Sequence, residues 1–383
     1  MLALDACELH DWLRLLLTPG LGLSQARRLL AALGSPQAIW AASPRVWADV
    51  LGQRDLSAWA QPPEGLAALS QQTLDWAELD GRHVLTLADP RYPRALLDAA
   101  DPPLLLHAEG DLSAFDAPAV AIVGSRHATP QGLDHAQGFA QALAQAGVVV
   151  ISGLARGIDA AAHEGALAGV AGSSRPATIA VVGTGLDSVY PKGHAALARR
   201  IAQRGLLLSE FTLGTPPLPG NFPRRNRIVA ALSRGVLVVE AAVQSGSLIT
   251  ARLGAELGRE VMAIPGSIQS PQARGCHALL KQGAKLVETA QDVLEELTPW
   301  LQAAPGDKVG DKGDDASLAC ANDAAQEADP VLRAMGHDPV SQEALSARTG
   351  WGPAELGAHL LTLELDGLVA RLPGALYQRR RRA

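Results

Sequence analysis

The stretch GNFPRRNRIVAALSRGVLVVEAAVQSGSLITA, residues 220–251, carries the pattern on which the fold is read. Its apolar run Val236 to Val239 is continuous rather than alternating, as a parallel strand covered on both faces requires. Glu240 ends that run, and Ser245-Gly246-Ser247 opens a helical pattern behind it. Small residues between a strand and a helix leave backbone N–H groups and the positive end of a helix dipole open to an anion. Ahead of the strand, Arg224-Arg225-Asn226-Arg227 reads as a basic turn with the aromatic Phe222 beside it, or else as a solvated helix face. Cations next to an aromatic suit a backbone phosphate with an unpaired base stacked alongside. The anion expected here is nucleic acid.

Outward from this unit the same strand, Gly-rich turn and helix recur. Further strands are expected at 119–123, 147–151, 178–182, 206–209 and 260–264, with helical segments after most of them. Such alternation implies right-handed crossovers and an α/β fold, an extended Rossmann-like, doubly wound parallel sheet. Ligands of such sheets bind beyond the carboxyl ends of the strands, where the Ser/Gly turns fall.

The 383 residues exceed one ordinary domain of about 100–200 residues. Residues 1–80 read as a small helical domain, with Leu13, Leu16, Leu17, Ala26, Leu29, Leu30 and Leu33 at helical spacing. Between its first helices lies Pro19-Gly20-Leu21-Gly22, with Ser24 as an N-cap. That connection resembles a helix-hairpin-helix (SAM-like) unit, and equally the short turn of a plain bundle. Trp40, Trp47, Trp59 and Trp76 read as its core. Residues 81–300 hold the Rossmann-like domain, whose first part, 81–117, with four prolines, reads as an extended lead-in. Residues 301–329 are rich in Ala, Asp and Gly and read as a flexible linker. Residues 330–383 read as a C-terminal winged helix ending in the basic run Arg379 to Arg382.

Composition narrows the function classes. A net charge of −6 and a pI near 5.9 argue against nonspecific coating of nucleic acid and leave room for a local basic patch. Cys7, Cys276 and Cys320 are far apart, which excludes a disulfide scaffold or a Cys-rich zinc site on spacing. The first 17 residues lack a basic stretch before their apolar part, and no apolar run approaches the ~18–20 residues of a membrane span, so a reducing cytoplasm is expected.

Strand 119–123 runs into Gly124-Ser125-Arg126 where a dinucleotide fingerprint would stand, and neither G-x-G-x-x-G nor a ribose-holding acid is present. No nicotinamide or other cofactor is expected. The second strand leads into Ser152-Gly153-Leu154-Ala155-Arg156-Gly157-Ile158-Asp159, the third into Gly183-Thr184-Gly185. Turn geometry alone accounts for the glycines, but it does not call for the arginines. Asp159 and His163, four apart on one helix face, read either as an acid–base pair or as a cap and a packed imidazole. With no GxSxG, HExxH or Walker A lysine, nothing in the chain demands catalysis or a metal.

AIVGSR (121–126), SGLARGIDAAAH (152–163), VVGTGLDSVYPKGH (181–194), NFPRRNRIVAALS (221–233), VVEAAVQSGSLITA (238–251) and AIPGS (263–267) together resemble the DNA-processing protein A (Smf) family. The resemblance covers about residues 105–290, six blocks in the family's order. Pro271 to Leu279, PQARGCHAL, departs from the family's SxGxN-type segment. The resemblance implies a single-stranded DNA-binding protein of natural transformation that protects incoming strands, loads the RecA recombinase and has no catalytic activity. It further implies a homodimer through the Rossmann-like domain, with Leu248 to Leu257 in the dimer surface. Carried onto this sequence, Arg126, Lys192, Phe222, Arg224, Arg225 and Arg227 would line the DNA groove. The residues read from the turns themselves add Gly124, Ser125, Ser152, Gly153, Arg156, Ser245, Gly246 and Ser247.

Two rivals bear on this reading. A nucleoside-monophosphate phosphoribohydrolase shares the first turn but carries an acid in PGGxGTxxE, and EAAVQSGSLITA has none in that place. A duplex-reading regulator would need basic side chains on the winged helix, whereas Pro353 to Glu364 offers Glu355, His359 and Thr362 and no arginine or lysine.

Overall fold

The structure is a computed structural model that describes residues 5–301 and 329–380, apart from 54, 337, 338 and 373. The linker expected over 301–329 falls outside these residues but for its two ends, as do Arg381 and Arg382.

The strands of the main sheet are β1 (Arg82–Thr86), β2 (Leu105–Gly110), β3 (Ala119–Val123), β4 (Val149–Ser152), β5 (Thr178–Val181), β6 (Leu206–Ser209), β7 (Gly235–Val238), β8 (Glu260–Ala263) and β9 (Lys285–Leu286). Their order is β1-β2-β6-β5-β4-β3-β7-β8-β9, and β3 to β9 run parallel where they pair. The expected strands stand within two residues of their places. Chain order reverses at β3, with β4, β5 and β6 added on one side and β7 and β8 on the other. This is the switch point at which open α/β sheets bind ligands.

Residues 81–117 are not a lead-in. They form β1 and β2, an antiparallel pair that extends the sheet, with His107 of β2 opposite Ser209 of β6. Four prolines hide the pair from a periodicity reading. The pairing partner of β2 lies about a hundred residues downstream, and only tertiary structure supplies it.

Alternate strand residues divide the interior into two cores. Val120, Ile122 and Val150 face α6 (Pro130–Gln145), α7 (Ile158–Gly169) and α8 (Ala195–Arg204). Ala121, Val123 and Ile151 face α9 (Asn221–Leu232), α10 (Ser247–Glu256) and α11 (Arg274–Lys281). The amino-terminal helices α1 (Ala6–Leu17), α2 (Leu23–Leu33), α3 (Pro36–Ala41), α4 (Pro44–Leu51) and α5 (Leu66–Ala77), with the 3-10 turn Ser57–Ala60, join the first of these cores through Leu13, Leu29, Ile39, Trp47, Trp59 and Trp76. Trp76 meets the buried His107 ring of β2 edge-on, with centroids 5.6 Å apart. Ser24 is not the expected N-cap: Gly22 holds that place, because the Gln25 side chain reaches back to accept its N–H at 2.8 Å.

A second, three-stranded sheet (Val340–Ser341, Leu376–Arg379, Val369–Leu372) and the helices Pro330–Met335, Gln342–Thr349 and Pro353–Leu365 form the expected winged helix around Val331, Leu345, Leu356 and Leu360. It rests on α6 through polar groups. Arg380 Nε and Nη2 donate to the Asp134 carboxylate at 3.1 and 2.5 Å, and Gln378 donates to Gln131 at 2.8 Å. No helix among the described residues is long and apolar enough to cross a membrane.

Helices α6 and α7 approach until backbone meets backbone. A Cβ on Gly165 would overlap the Gln137 carbonyl oxygen, and one on Gly169 that of Gln141. Gly165→Ala is expected to destabilise the protein by about 1–3 kcal/mol, because a well-packed helix contact cannot take an added methyl. Gly138, on the open side of α6, has no atom within 4 Å of such a Cβ. Gly138→Ala is expected to stabilise by ~0.5–1 kcal/mol through helix propensity. Urea unfolding midpoints measure both, and equal shifts would refute the packing account.

Candidate nucleic-acid interface

The carboxyl ends of β3, β4, β5 and β7 open onto one cleft of about 660 Å³. Gly124 to His127 follow β3, Ala155 and Asp159 follow β4, Tyr190 comes from the loop after β5, and Ser245 to Ser247 follow β7. Phe222, Arg225 and Asn226 enter from the amino-terminal turns of α9.

The supposed basic turn is therefore helical: Asn221 to Leu232 form α9 without a break. Pro223 stands in its first turn, where the missing N–H has no intrahelical acceptor in any case. Helical spacing splits the arginine run. Arg225 is directed to the cleft, while Arg224 and Arg227, both near Glu210 at the end of β6, leave it. Arg227 also pairs with Asp101 at 3.1 Å, and the Glu210 carboxylate is almost fully buried between the two arginines.

Arg225 forms the floor. Its residue is only 4% exposed, yet its side chain has no ion pair or hydrogen bond among the described residues. A Cβ on Gly153 would overlap its guanidinium, so the glycine is required by this side chain rather than by turn geometry. The neighbouring Asp159 Oδ2 accepts the N–H groups of Gly153 and Ala155 at 3.1 and 3.3 Å. Burial lowers the Arg225 guanidinium to about 10, against the pull of Asp159, so it stays charged at neutral pH. A buried cation without a bonded partner costs several kcal/mol, and an anion in the cleft would recover part of it.

Above the floor is an aromatic rim. The Phe222 and Tyr190 rings lie 5.6 Å apart at 43°, and the exposed Arg126 guanidinium lies 5.5 Å from the Phe222 centroid. The Phe222 ring packs on Gly183, where a Cβ would come within 3.1 Å of it. Tyr190 is 46% exposed, and Lys192 and Arg156 stand exposed beside the cleft without lining it. Leu154 holds a left-handed backbone (φ 57°), and its carbonyl accepts a hydrogen bond from His194 Nδ1 at 3.0 Å. Strain of this kind persists where surrounding contacts fix a loop, here the one carrying Ala155 and Arg156.

The serines divide by role. Ser125 Oγ accepts the His127 N–H at 3.1 Å, and Ser245 and Ser247 share an Oγ–Oγ hydrogen bond of 2.7 Å at the start of α10. Ser152 is fully buried and donates to the Ile122 carbonyl at 2.7 Å, away from the cleft. The departing segment PQARGCHAL is a 3-10 turn leading into α11, clamped to the end of β7 by the Gly275 N–H on the Ala241 carbonyl at 2.7 Å.

Residues 83–298 match the family model described as DNA recombination-mediator protein A, and residues 316–375 match that of the DprA winged helix domain. The chain belongs to the DNA recombination-mediator protein A family. Protein Smf of Escherichia coli is 42% identical over 82% of this chain and 81% of its own length. DNA processing protein DprA of Streptococcus pneumoniae is 47% identical over 55% of this chain and 73% of its own. The crystal structure of the Streptococcus pneumoniae protein superposes with a TM-score of 0.65 at 38% identity, over 76% of this chain and 98% of that one. The DNA processing protein A of Helicobacter pylori, solved for its single-stranded DNA binding mode, gives 0.52 at 33% identity, over 58% and 98%. The family resemblance read from the six sequence blocks therefore holds.

In this family member the cleft also contains residues that the sequence reading passed over. Tyr190, Asn226, Gln244 and Gln272 line it, and Tyr190 was visible next to Lys192 in the quoted YPKGH. Glu240 anchors Thr129, the N-cap of α6, accepting its N–H at 2.9 Å and its hydroxyl at 2.5 Å.

Asp159 and His163 do not act on each other. The Thr178 hydroxyl donates to the Val150 carbonyl, so His163 Nδ1 must donate to Thr178 Oγ1 at 2.7 Å. Burial pushes the imidazole down to about 3. The unfolded chain takes up this proton below about 6.5, the folded one only near 3, so stability present above pH 6.5 is lost on acidification. His163→Gln is expected to flatten the fall in unfolding free energy from about pH 6 to about pH 4 by up to ~1.4 kcal/mol per unit. Parallel urea-derived stability profiles for the two proteins would refute this.

Proposed function

We propose that the cleft binds single-stranded DNA, with a phosphate at Arg225, Ser125 and the start of α10 and a base on the Phe222–Tyr190 rim. The observation that carries this reading is the buried Arg225, without an ion pair or hydrogen bond among the described residues, beneath the exposed Tyr190 and half-buried Phe222, with the exposed guanidinium of Arg126 beside them. Lys192 and Arg156 extend the cationic rim. Arg224 and Arg227 contribute by holding Glu210 and the first turns of α9 in place. The single-stranded DNA binding mode described for the Helicobacter pylori relative supports the same ligand. In the cell we place this activity in the cytoplasm, in natural transformation, where the protein protects incoming strands and hands them to the RecA recombinase.

Binding rather than catalysis is the proposed activity. Phe222→Ala is expected to lose ~1–3 kcal/mol of affinity for an oligo-dT strand, the range for loss of one stacked base. Arg126→Ala is expected to lower the slope of log K against log salt by about 0.7 for the phosphate contact removed. Fluorescence anisotropy across a salt series reads both, and wild-type binding by both variants at matched folding would exclude this cleft.

We also infer a homodimer through α10 and α11. Between them runs a groove of about 510 Å³ lined by Leu248, Ile249, Ala255 and Leu279, with Val243 61% exposed at its edge. Light scattering should give twice the chain mass, and Leu248→Glu the chain mass. A monomeric wild type would overturn the inference.

A further inference from the structure

The amino ends of the strands, on the opposite edge of the sheet from the cleft, surround a second hollow of about 440 Å³. It lies between the segment after β1, the 3-10 turn Leu112–Phe115 and the starts of β3 and β7. Three arginines line it, Arg91, Arg94 and Arg234, with one acid, Asp116. Arg91 is committed to Asp89, to which its Nε and Nη2 donate at 3.0 and 2.7 Å. Arg94 is exposed and Arg234 half-buried, and neither side chain has a hydrogen bond or ion pair among the described residues. The floor between them is apolar, formed by Leu232 and Ile179, with the half-buried ring of Phe115 at one wall.

Each part points to the same ligand chemistry. Two uncommitted guanidiniums at one opening match the oxygens of a phosphate. An apolar floor and an aromatic wall beside them accept a flat ring, as at single-strand stacking sites. The volume lies in the range of small-molecule sites. The Asp116 carboxylate accepts hydrogen bonds and donates none, which favours a ring bearing an exocyclic amino group over thymine, whose one N–H lies between two carbonyls that repel an anion. We propose that this hollow is a second nucleotide site, taking a phosphate at Arg94 and Arg234 and an amino-bearing base against Phe115 and Asp116. The nucleotide is either free or one unit of a strand running past the main cleft.

The test uses the full chain, isothermal titration calorimetry, and dAMP, dTMP and inorganic phosphate as probes. The double variant Arg94→Ala/Arg234→Ala is expected to weaken dAMP binding about tenfold or more, the loss of two charge-assisted contacts. Arg126→Ala/Phe222→Ala, altered only in the cleft, should bind dAMP at the hollow like wild type. Asp116→Asn, an exposed change that keeps the arginines, should erase the preference for dAMP over dTMP. Displacement of dAMP from the cleft variant by an oligo-dA strand would support the site and identify the strand as its source. Absence of displacement with dAMP still bound would support the site with free nucleotide as the ligand. The proposal is overturned if the Arg94/Arg234 variant binds dAMP unchanged, or if the cleft variant loses that binding. Phosphate binding as tightly as dAMP, or competition only by an acidic peptide, would equally overturn it.

Discussion

Arg225 enters the middle of the molecule from the second turn of α9, and the strand ends around it are arranged to admit a charge there. Gly153 stands where any side chain would collide with the guanidinium. Asp159 faces it from α7 but is held by two backbone N–H groups of its own loop, so the cation has a favourable field and no bonded partner among the described residues. Taking a cation this far from water costs several kcal/mol. That cost is tolerable on a sheet whose switch point leaves the cation facing an open cleft. The requirement reaches back through β4, α7 and α9, which must keep their relative places for the charge to remain tolerable.

The other arginines of the same run show how an acidic chain supports an anion site. Arg224 and Arg227 share Glu210, and Arg227 also takes Asp101, so two of the three charges are cancelled within the fold. What remains is narrow: one guanidinium at the floor, one on the rim beside Phe222, and isolated cations at Lys192 and Arg156. A patch of this size fits a net charge of −6, because recognition is local and the body as a whole repels polyanions.

Much of this was legible in the sequence. The continuous apolar runs gave the parallel strands within two residues, since strands covered on both faces leave no other pattern. The Ser/Gly turns and the Phe222–Arg225 segment pointed to one surface because all of them follow strand ends. What sequence could not supply was direction. Arg224, Arg225 and Arg227 are near-neighbours in the chain, and only the helical turn of about 100° per residue sends the second into the cleft and the others to Glu210. Ser152 looked like its exposed counterparts, yet the Ile122 carbonyl on the neighbouring strand β3, thirty residues back in the chain, claims its hydroxyl. The β1–β2 pair was hidden for the same reason, a partner strand far along the chain.

The two flanking regions are attached in physically different ways. The amino-terminal helices share one uninterrupted hydrophobic core with the α6–α8 face of the sheet. The winged helix has a core of its own and meets α6 through an ion pair and an amide contact. The first arrangement makes amino-terminal truncation equivalent to stripping one side of the sheet, so those helices behave as part of a single cooperative unit. The second shares no hydrophobic cluster with the sheet, so breaking its polar contacts to α6 leaves both cores intact, and the carboxyl-terminal piece is expected to separate before the rest unfolds.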